Sequence, residues 1–221
     1  MQPPAGEGSQ ARVEPQIPPT PSALRTHAYR ERLELRREEL RQQLVSLLRP
    51  GQPFAWEVGC GHGHYLTAYA LAHSNTMCIG IDLMGERIER ALRKRNRARL
   101  ENLFFLQADA RLFLEVLPAG LTFSRLFVLF PDPWPKVRHH KHRILNADFL
   151  SAAARHATPD TRLYFRTDYA PYFEAAQSVV AAHNAWQAVK EPWAFEFGTV
   201  FQERAAQHQS LVARRREPTS P

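Results

Sequence analysis

The chain is predicted to fold as an α/β protein, a mostly parallel sheet of seven strands with helices on both faces. Three observations predict it. Strand-like and helix-like segments alternate from about residue 54 onward, the pattern of parallel strands joined by crossover helices. A glycine-rich stretch, Gly59-Cys60-Gly61-His62-Gly63, falls where the first strand turns into the first helix, which is where open α/β sheets bind nucleotides. The length of 221 residues and a hydrophobic content of 44% suffice for one sizeable core.

The elements follow in order. Residues 1–22 hold six prolines among glycine, serine and glutamine. Such a composition cannot bury enough surface to offset its ordering entropy, and a disordered arm is expected. From His27 to Leu48, Leu33, Leu40, Leu44, Leu47 and Leu48 recur on one face of an amphipathic helix that packs onto the domain. Strands are expected at Phe54–Val58, Met77–Ile81, Leu103–Leu106, Leu126–Phe130 and Arg162–Thr167, with two more before Arg204. Helices are expected from His64, from Gly85, near Arg111, over Ala147–His156 and over Tyr169–His183. Residues 23–216 read as one domain and residues 217–221 as a loose tail.

Composition narrows the function classes. Against 22 Asp and Glu stand 29 Lys and Arg, a formal charge of +7 before any of ten histidines takes a proton. A polyanionic partner is compatible with this, and the distribution of the charges must decide. One group is Lys136, Arg138, Lys141 and Arg143 with His139, His140 and His142. A second decorates the helix from Gly85: Arg87, Arg90, Arg93, Lys94, Arg95, Arg97 and Arg99. That helix is open to two readings, a solvated face or a second contact for a polyanion. Only Cys60 and Cys78 occur, which favours a reducing compartment and a cytoplasmic protein. No stretch has the uninterrupted apolar length of a membrane span, and no C-x-x-C or H-E-x-x-H spacing supports a metal, so neither membrane nor metal is expected.

Acids end the successive strands. Glu57 precedes the glycines by two residues, Asp82 ends the second strand, and Asp109 follows the third. An acid at the end of the second strand can accept the ribose hydroxyls of an adenosine moiety. Asp82 and Asp109 are equally suited to cap the helices that follow. The third glycine stands at 63, with His64 where a dinucleotide-binding loop has its glycine. The spacing Glu57-x-Gly59-x-Gly61-x-Gly63 instead resembles the S-adenosylmethionine loop of class I methyltransferases, whose Rossmann-like fold it implies. The resemblance also implies that Glu57, Gly59, Gly61, Asp82 and Asp109 hold the cofactor, together with Asp132 from the loop after the fourth strand, with Glu57 toward its methionine end and Asp109 beside the adenine.

The fourth strand ends in Phe130-Pro131-Asp132-Pro133-Trp134-Pro135-Lys136. Proline fixes its own φ and restricts the residue before it, so Asp132 has few alternative conformations. This loop, the basic run that follows, Thr167-Asp168, and Thr199-Val200-Phe201-Gln202-Glu203-Arg204 together resemble the bacterial tRNA (guanine-N7-)-methyltransferase family over residues 54–204. The resemblance implies transfer of a methyl group from S-adenosylmethionine to a guanine in the tRNA variable loop. It also implies Asp132 as the catalytic acid at the cofactor's reactive end, with Lys136, Asp168, Thr199, Val200, Phe201 and Gln202 as RNA contacts, joined by Arg138 and Lys141 from the basic run. The family usually has lysine and glutamate where this chain has Val200 and Gln202, which favours Thr199 over its neighbours. A monomer and a homodimer are both compatible with the sequence.

Chemistry constrains the roles. Guanine N7 carries an in-plane lone pair and no proton, so the enzyme needs alignment and charge stabilisation rather than a general base. In A-form RNA that edge faces a deep, narrow groove, so the target base must lie in a loop or be splayed out. Trp134 is then either a stacking face for the base or an apolar plug under the loop. Two competing readings remain: a methyltransferase with another acceptor, since Pro-Asp-Pro-Trp loosely resembles the Asn/Asp-Pro-Pro-Trp loops of amide and exocyclic-nitrogen methyltransferases, and a non-catalytic RNA-binding relative.

Overall fold

The computed structural model describes residues 21–197 and 207–217. Chain contacts divide the protein after Arg36 into two units. In the first, the described residues are the opening part of α1 (Pro21–Leu47). That helix starts ahead of the expected His27, and a proline is tolerated there because the first helical N–H groups have no intrahelical partner anyway.

The second unit holds the remainder of α1 and the sheet. Leu40, Leu44 and Leu48 recur every four residues and are buried, the spacing that stacks side chains on one helical face. Beyond them run β1 (Phe54–Val58), α2 (His64–Ala72), β2 (Cys78–Asp82), α3 (Gly85–Ala98), β3 (Leu103–Gln107), α4 (Ala110–Val116) and β4 (Phe123–Leu129). A 3₁₀ helix (Val137–His142), α5 (Ala147–Ala154), β5 (Ala157–Thr167), α6 (Ala170–Ala182), β6 (Trp186–Val189) and β7 (Gln209–Arg215) complete it. The seven strands form one sheet in the order β3-β2-β1-β4-β5-β7-β6. β1 to β5 run parallel, whereas β7 lies antiparallel between β5 and β6.

The last strand corrects one expectation. The sequence pattern puts both final strands before Arg204, whereas β7 begins at Gln209.

Side chains alternate across the sheet because successive strand residues face opposite sides. Phe54, Trp56, Leu126, Val128, Leu163 and Phe165 meet α4, α5 and α6 on one face. The Trp56 ring stacks on Phe113 at 4.6 Å, a pairing worth about 0.5–1.5 kcal/mol beyond its buried area. Ala55, Cys78, Phe105, Phe127 and Tyr164 meet α2 and α3 on the other. With both faces covered, the parallel strands hold rigid ends, and the loops after β1 to β5 all leave from one edge of the sheet.

Candidate active site

The first of those loops is the glycine loop. Gly59, Gly61 and Gly63 all have positive φ, 70°, 54° and 69°, a region that side chains enter only at a cost. Gly63 has a second reason to be glycine: a Cβ there would lie 2.5 Å from the Phe105 ring. The loop can therefore sink onto β3. It is tied down by Cys60 N–H to Ile81 O at 2.9 Å and by Gly61 N–H to Asp82 Oδ2 at 3.0 Å.

Asp82 is thus a structural hub. Its other oxygen accepts from Met84 N–H at 2.9 Å, and the Arg87 guanidinium stands 3.5 Å away. A carboxylate offers about four lone pairs, and two backbone N–H groups use two of them, so acceptor capacity remains for a ligand. Asp109 caps α4 by accepting from the N–H groups of Arg111 and Leu112, and it also lines the cleft.

That cleft has a volume of about 560 Å³ and is walled by Gly59, Asp82, Asp109, Asp132 and Trp134. Leu83 and Met84, 66% and 50% exposed, also line it. The two apolar side chains beside an acid suit the faces and ribose of an adenosine group. Glu57 and Gly61 do not line the cleft. Glu57 lies behind the loop, buried, with Oε2 unpartnered among the described residues. Burial pushes its pKa from 4.5 to about 8, opposed by the Leu66 N–H and reinforced by Asp82. One orphaned acceptor under a backbone cradle fits a ligand that brings a donor, and the apolar mouth fits its purine, so these residues suit S-adenosylmethionine.

The proline loop forms the opposite wall. Phe130 and Trp134 both adopt left-handed backbone, φ 48° and 44°, which is rare for bulky residues and costs about 1–3 kcal/mol each. Its supports are visible. Phe130 N–H donates to Arg166 O at 2.7 Å, and Arg143 Nε–H donates to Pro133 O at 2.9 Å. Asp132 is exposed at the cleft. Trp134 is half-buried against His139 and His142, with ring centroids 5.8 and 5.1 Å away; it walls the cleft rather than plugging the core.

The basic run divides. Lys136, Arg138 and Lys141 are exposed. Arg143 is not: it is 5% exposed and lies over the Tyr172 ring at 4.8 Å. It braces the loop instead of offering a charge to phosphate, which corrects its inclusion in the basic group.

Asp168 is exposed just beyond β5, next to the start of the proline loop through the Phe130–Arg166 bond. It does not line the cleft. Thr199, Val200, Phe201 and Gln202 lie outside the described residues. Sequence reasoning missed what holds the approach to them. Arg166, 4% exposed, grips Glu196 with both terminal nitrogens at 3.1 and 3.0 Å, donates to Ser210 Oγ, and stacks on Trp193 at 3.9 Å. No signal local to Glu196 marks this pairing, because its partner lies 30 residues away.

Cys60 and Cys78 are free and buried; burial pushes the Cys78 thiol to about 12. Among the described residues no group of three or more His, Cys, Asp or Glu could hold a metal, and no helix is long and apolar enough to cross a membrane.

Comparison with known proteins extends this picture. Residues 51–214 match the model of a family described as putative methyltransferases. A tRNA (guanine-N(7)-)-methyltransferase of Roseobacter denitrificans is 34% identical over 161 residues, which is 70% of this chain and 69% of that protein. Its counterpart in Treponema pallidum is 38% identical over 129 residues, covering 58% of this chain and 52% of the relative. Among solved structures, the aminoglycoside resistance methyltransferase NpmB1 superposes with a TM-score of 0.53 at 20% identity, over 81% of this chain and 93% of that one. TrmN from Thermus thermophilus gives 0.53 at 18% identity, over 79% and 48%. At these identities the structures support the fold.

Proposed function

The chain belongs to the bacterial tRNA (guanine-N7-)-methyltransferase family, and from that premise we propose that it methylates N7 of a guanine in the tRNA variable loop, with S-adenosylmethionine as donor. The observation that carries the reading is the shared cleft. A stiffened acid, Asp132, faces the same space as Gly59, Asp82 and Asp109, so one side of the cleft suits a nucleoside cofactor and the other a base.

The bound cofactor supplies an electrophilic methyl group on a sulfonium. Gly59 and the loop backbone form its cradle, Asp82 and Asp109 face its ribose and adenine, and Glu57 offers its unpartnered oxygen from behind the loop. Asp132 orients the purine through its N–H groups and offsets the positive charge that develops on the ring as N7 is alkylated. No residue has to remove a proton from N7. Holding the reacting atoms in line is worth several kcal/mol if the geometry is fixed in advance, which is the use of a loop clamped by three prolines and by Arg143. Trp134 gives the extruded base a stacking face. Lys136, Arg138 and Lys141, exposed beside it, meet phosphates, and Asp168 with the segment from Thr199 to Gln202 completes the RNA contact. Buried free thiols agree with work in the reducing cytoplasm.

The test is direct. Protein, methyl-labelled S-adenosylmethionine and unmodified tRNA transcript should yield labelled 7-methylguanosine on nucleoside mass spectrometry. Label in another nucleoside only, or none, overturns the proposal. Asp132→Asn should lower kcat by about 10²-fold or more while leaving cofactor affinity near the parent value.

A further inference from the structure

The six basic side chains of α3 do not do the same thing. Arg95 lies over the Phe104 ring at 4.9 Å and donates to Leu100 O at 3.2 Å, and Arg93 faces Glu89 at 3.9 Å. Both are explained by the fold. Arg87, Arg90, Lys94 and Arg97 instead follow one another at three- and four-residue spacing, which places them on one stripe of the helix. At 1.5 Å per residue the stripe is about 15 Å long. Arg87 pairs with Asp82. Among the described residues no carboxylate stands within ion-pair distance of Arg90, Lys94 or Arg97.

The glycine loop adds to this stripe. Lys94 Nζ lies 3.2 and 3.1 Å from the two ring nitrogens of His64, and the His62 ring is 6.3 Å from that of His64. Burial and then Arg90, Arg87 and Lys94 hold His62 below its usual pKa, with Asp82 the smallest influence and the only one opposing. Burial, Lys94 and His62 do the same to His64, and burial and Arg97 lower Lys94. These groups crowd one another, and the acid that acts on them, Asp82, is the weakest influence on His62 and is paired with Arg87. Neighbouring like charges destabilise a helix, and the polar contact that Lys94 makes with His64 neutralises none of them. A polyanion laid along it offsets the repulsion.

Its position selects the polyanion. The stripe begins in the wall of the active cleft, since Arg87 lines it, and it rides on the helix after β2. The proline-loop cations Lys136, Arg138 and Lys141 follow β4 instead. β2 and β4 flank β1 on opposite sides, so positive charge borders the cleft from two directions. A strand that places one base against Asp132 has phosphates on both sides of that base.

We propose that Arg90, Lys94 and Arg97, with His62 and His64, form a second phosphate-binding track that grips the substrate RNA beside the cofactor loop. The inference rests on the tRNA reading of the cleft. The experiment is filter binding of an unmodified tRNA transcript across a series of salt concentrations, with the parent protein, Arg90→Ala/Lys94→Ala, Arg90→Lys/Lys94→Arg, and Arg93→Ala as the paired-surface comparison. Calorimetry with S-adenosylmethionine reports whether each variant is folded around its loop. The double alanine variant should bind tRNA about tenfold or more weakly and flatten the log–log salt slope by about 1.5, because each phosphate contact contributes roughly 0.7 to 0.9. The charge-conserving variant should keep the parent slope, and cofactor affinity should be unchanged throughout. Equal slopes and affinities for the parent and the double alanine variant overturn the track, as does an identical loss in Arg93→Ala. The parent's yield of 7-methylguanosine is read separately: methylation with no effect of the variants overturns the track alone, whereas binding that the variants weaken without any N7 product overturns the assigned reaction and keeps the track.

Discussion

Replacing Glu57 with glutamine separates the loop's stability from its ligand chemistry. Glu57 is buried behind the glycine loop, and its pKa rises from 4.5 to about 8, chiefly through burial. One pKa step corresponds to about 1.36 kcal/mol, so that interval amounts to about 5 kcal/mol as an upper figure. The sign follows from linkage. Below pH 4.5 both folded and unfolded chains hold the proton, and the side chain makes no pH-dependent difference. Between 4.5 and about 8 the unfolded chain has released it while the native one keeps it, so stability falls as pH rises, and above 8 the loss levels off. Glutamine cannot ionise. Glu57→Gln should therefore match the parent near pH 4.5 and exceed it by about 3 kcal/mol at pH 7, reduced by about 1 kcal/mol for an amide hydrogen left without an acceptor. Guanidinium unfolding followed by tryptophan fluorescence at pH 5, 6, 7 and 8 measures this as a midpoint difference that widens with pH. Parallel pH profiles for parent and variant would refute the reasoning. The variant should also bind S-adenosylmethionine more weakly, and the parent should release a proton on binding, visible as a dependence of the calorimetric heat on the ionisation enthalpy of the buffer.

Three further substitutions test the cleft. At an ordinary position glycine is less stable than alanine, but Trp134 sits at φ 44°, so Trp134→Gly should be more stable than Trp134→Ala by about 1 kcal/mol; thermal melts of the pair decide it, and the opposite order removes the strain argument. Gly63→Ala drives a Cβ to 2.5 Å from Phe105, whereas Gly59→Ala meets nothing within 4 Å. Gly59→Ala should then cost about 1–2 kcal/mol from φ alone and Gly63→Ala clearly more, and equal costs on denaturant titration would contradict this. Arg143→Met keeps most of the volume but leaves Pro133 O without its donor, an expected loss of about 1–3 kcal/mol, with kcat for tRNA methylation falling further than cofactor affinity; unchanged kcat would show that the loop needs no brace.

The parts of this molecule that were legible in the sequence are those set by local physics. Parallel strands at β1 to β5 announce themselves because each carries a short apolar run with an acid at or just beyond its C-terminal end. The glycine spacing is read directly, since positive φ selects the residue type. β7 was misplaced because its apolar content is three residues, Leu211, Val212 and Ala213, between polar ends. The aromatic run Trp193-Ala194-Phe195 forms no strand and is instead held by distant partners, Tyr65 donating to Phe195 O and Arg166 stacked on Trp193. Charge runs misled for a related reason. Arg143 reads as one more cation among histidines, and only tertiary placement over Tyr172 shows that its work is internal.

Local rules fail most sharply in the proline loop, and the failure has a physical use. A chain free to relax would not hold phenylalanine and tryptophan in left-handed backbone four residues apart. Here the Phe130 N–H is fixed to β5, the Pro133 carbonyl to Arg143, and Pro131 and Pro133 remove the alternatives between them. The strain is thereby carried by the folded sheet, and Asp132 keeps its place without help from substrate. For a reaction that asks the enzyme to align a lone pair and meet a growing positive charge, a carboxylate fixed before RNA arrives needs no reordering at the moment of reaction. The two left-handed aromatics are therefore the backbone counterpart of the rigidity that the Pro-Asp-Pro sequence announces, and relaxing either should lower kcat before it lowers affinity.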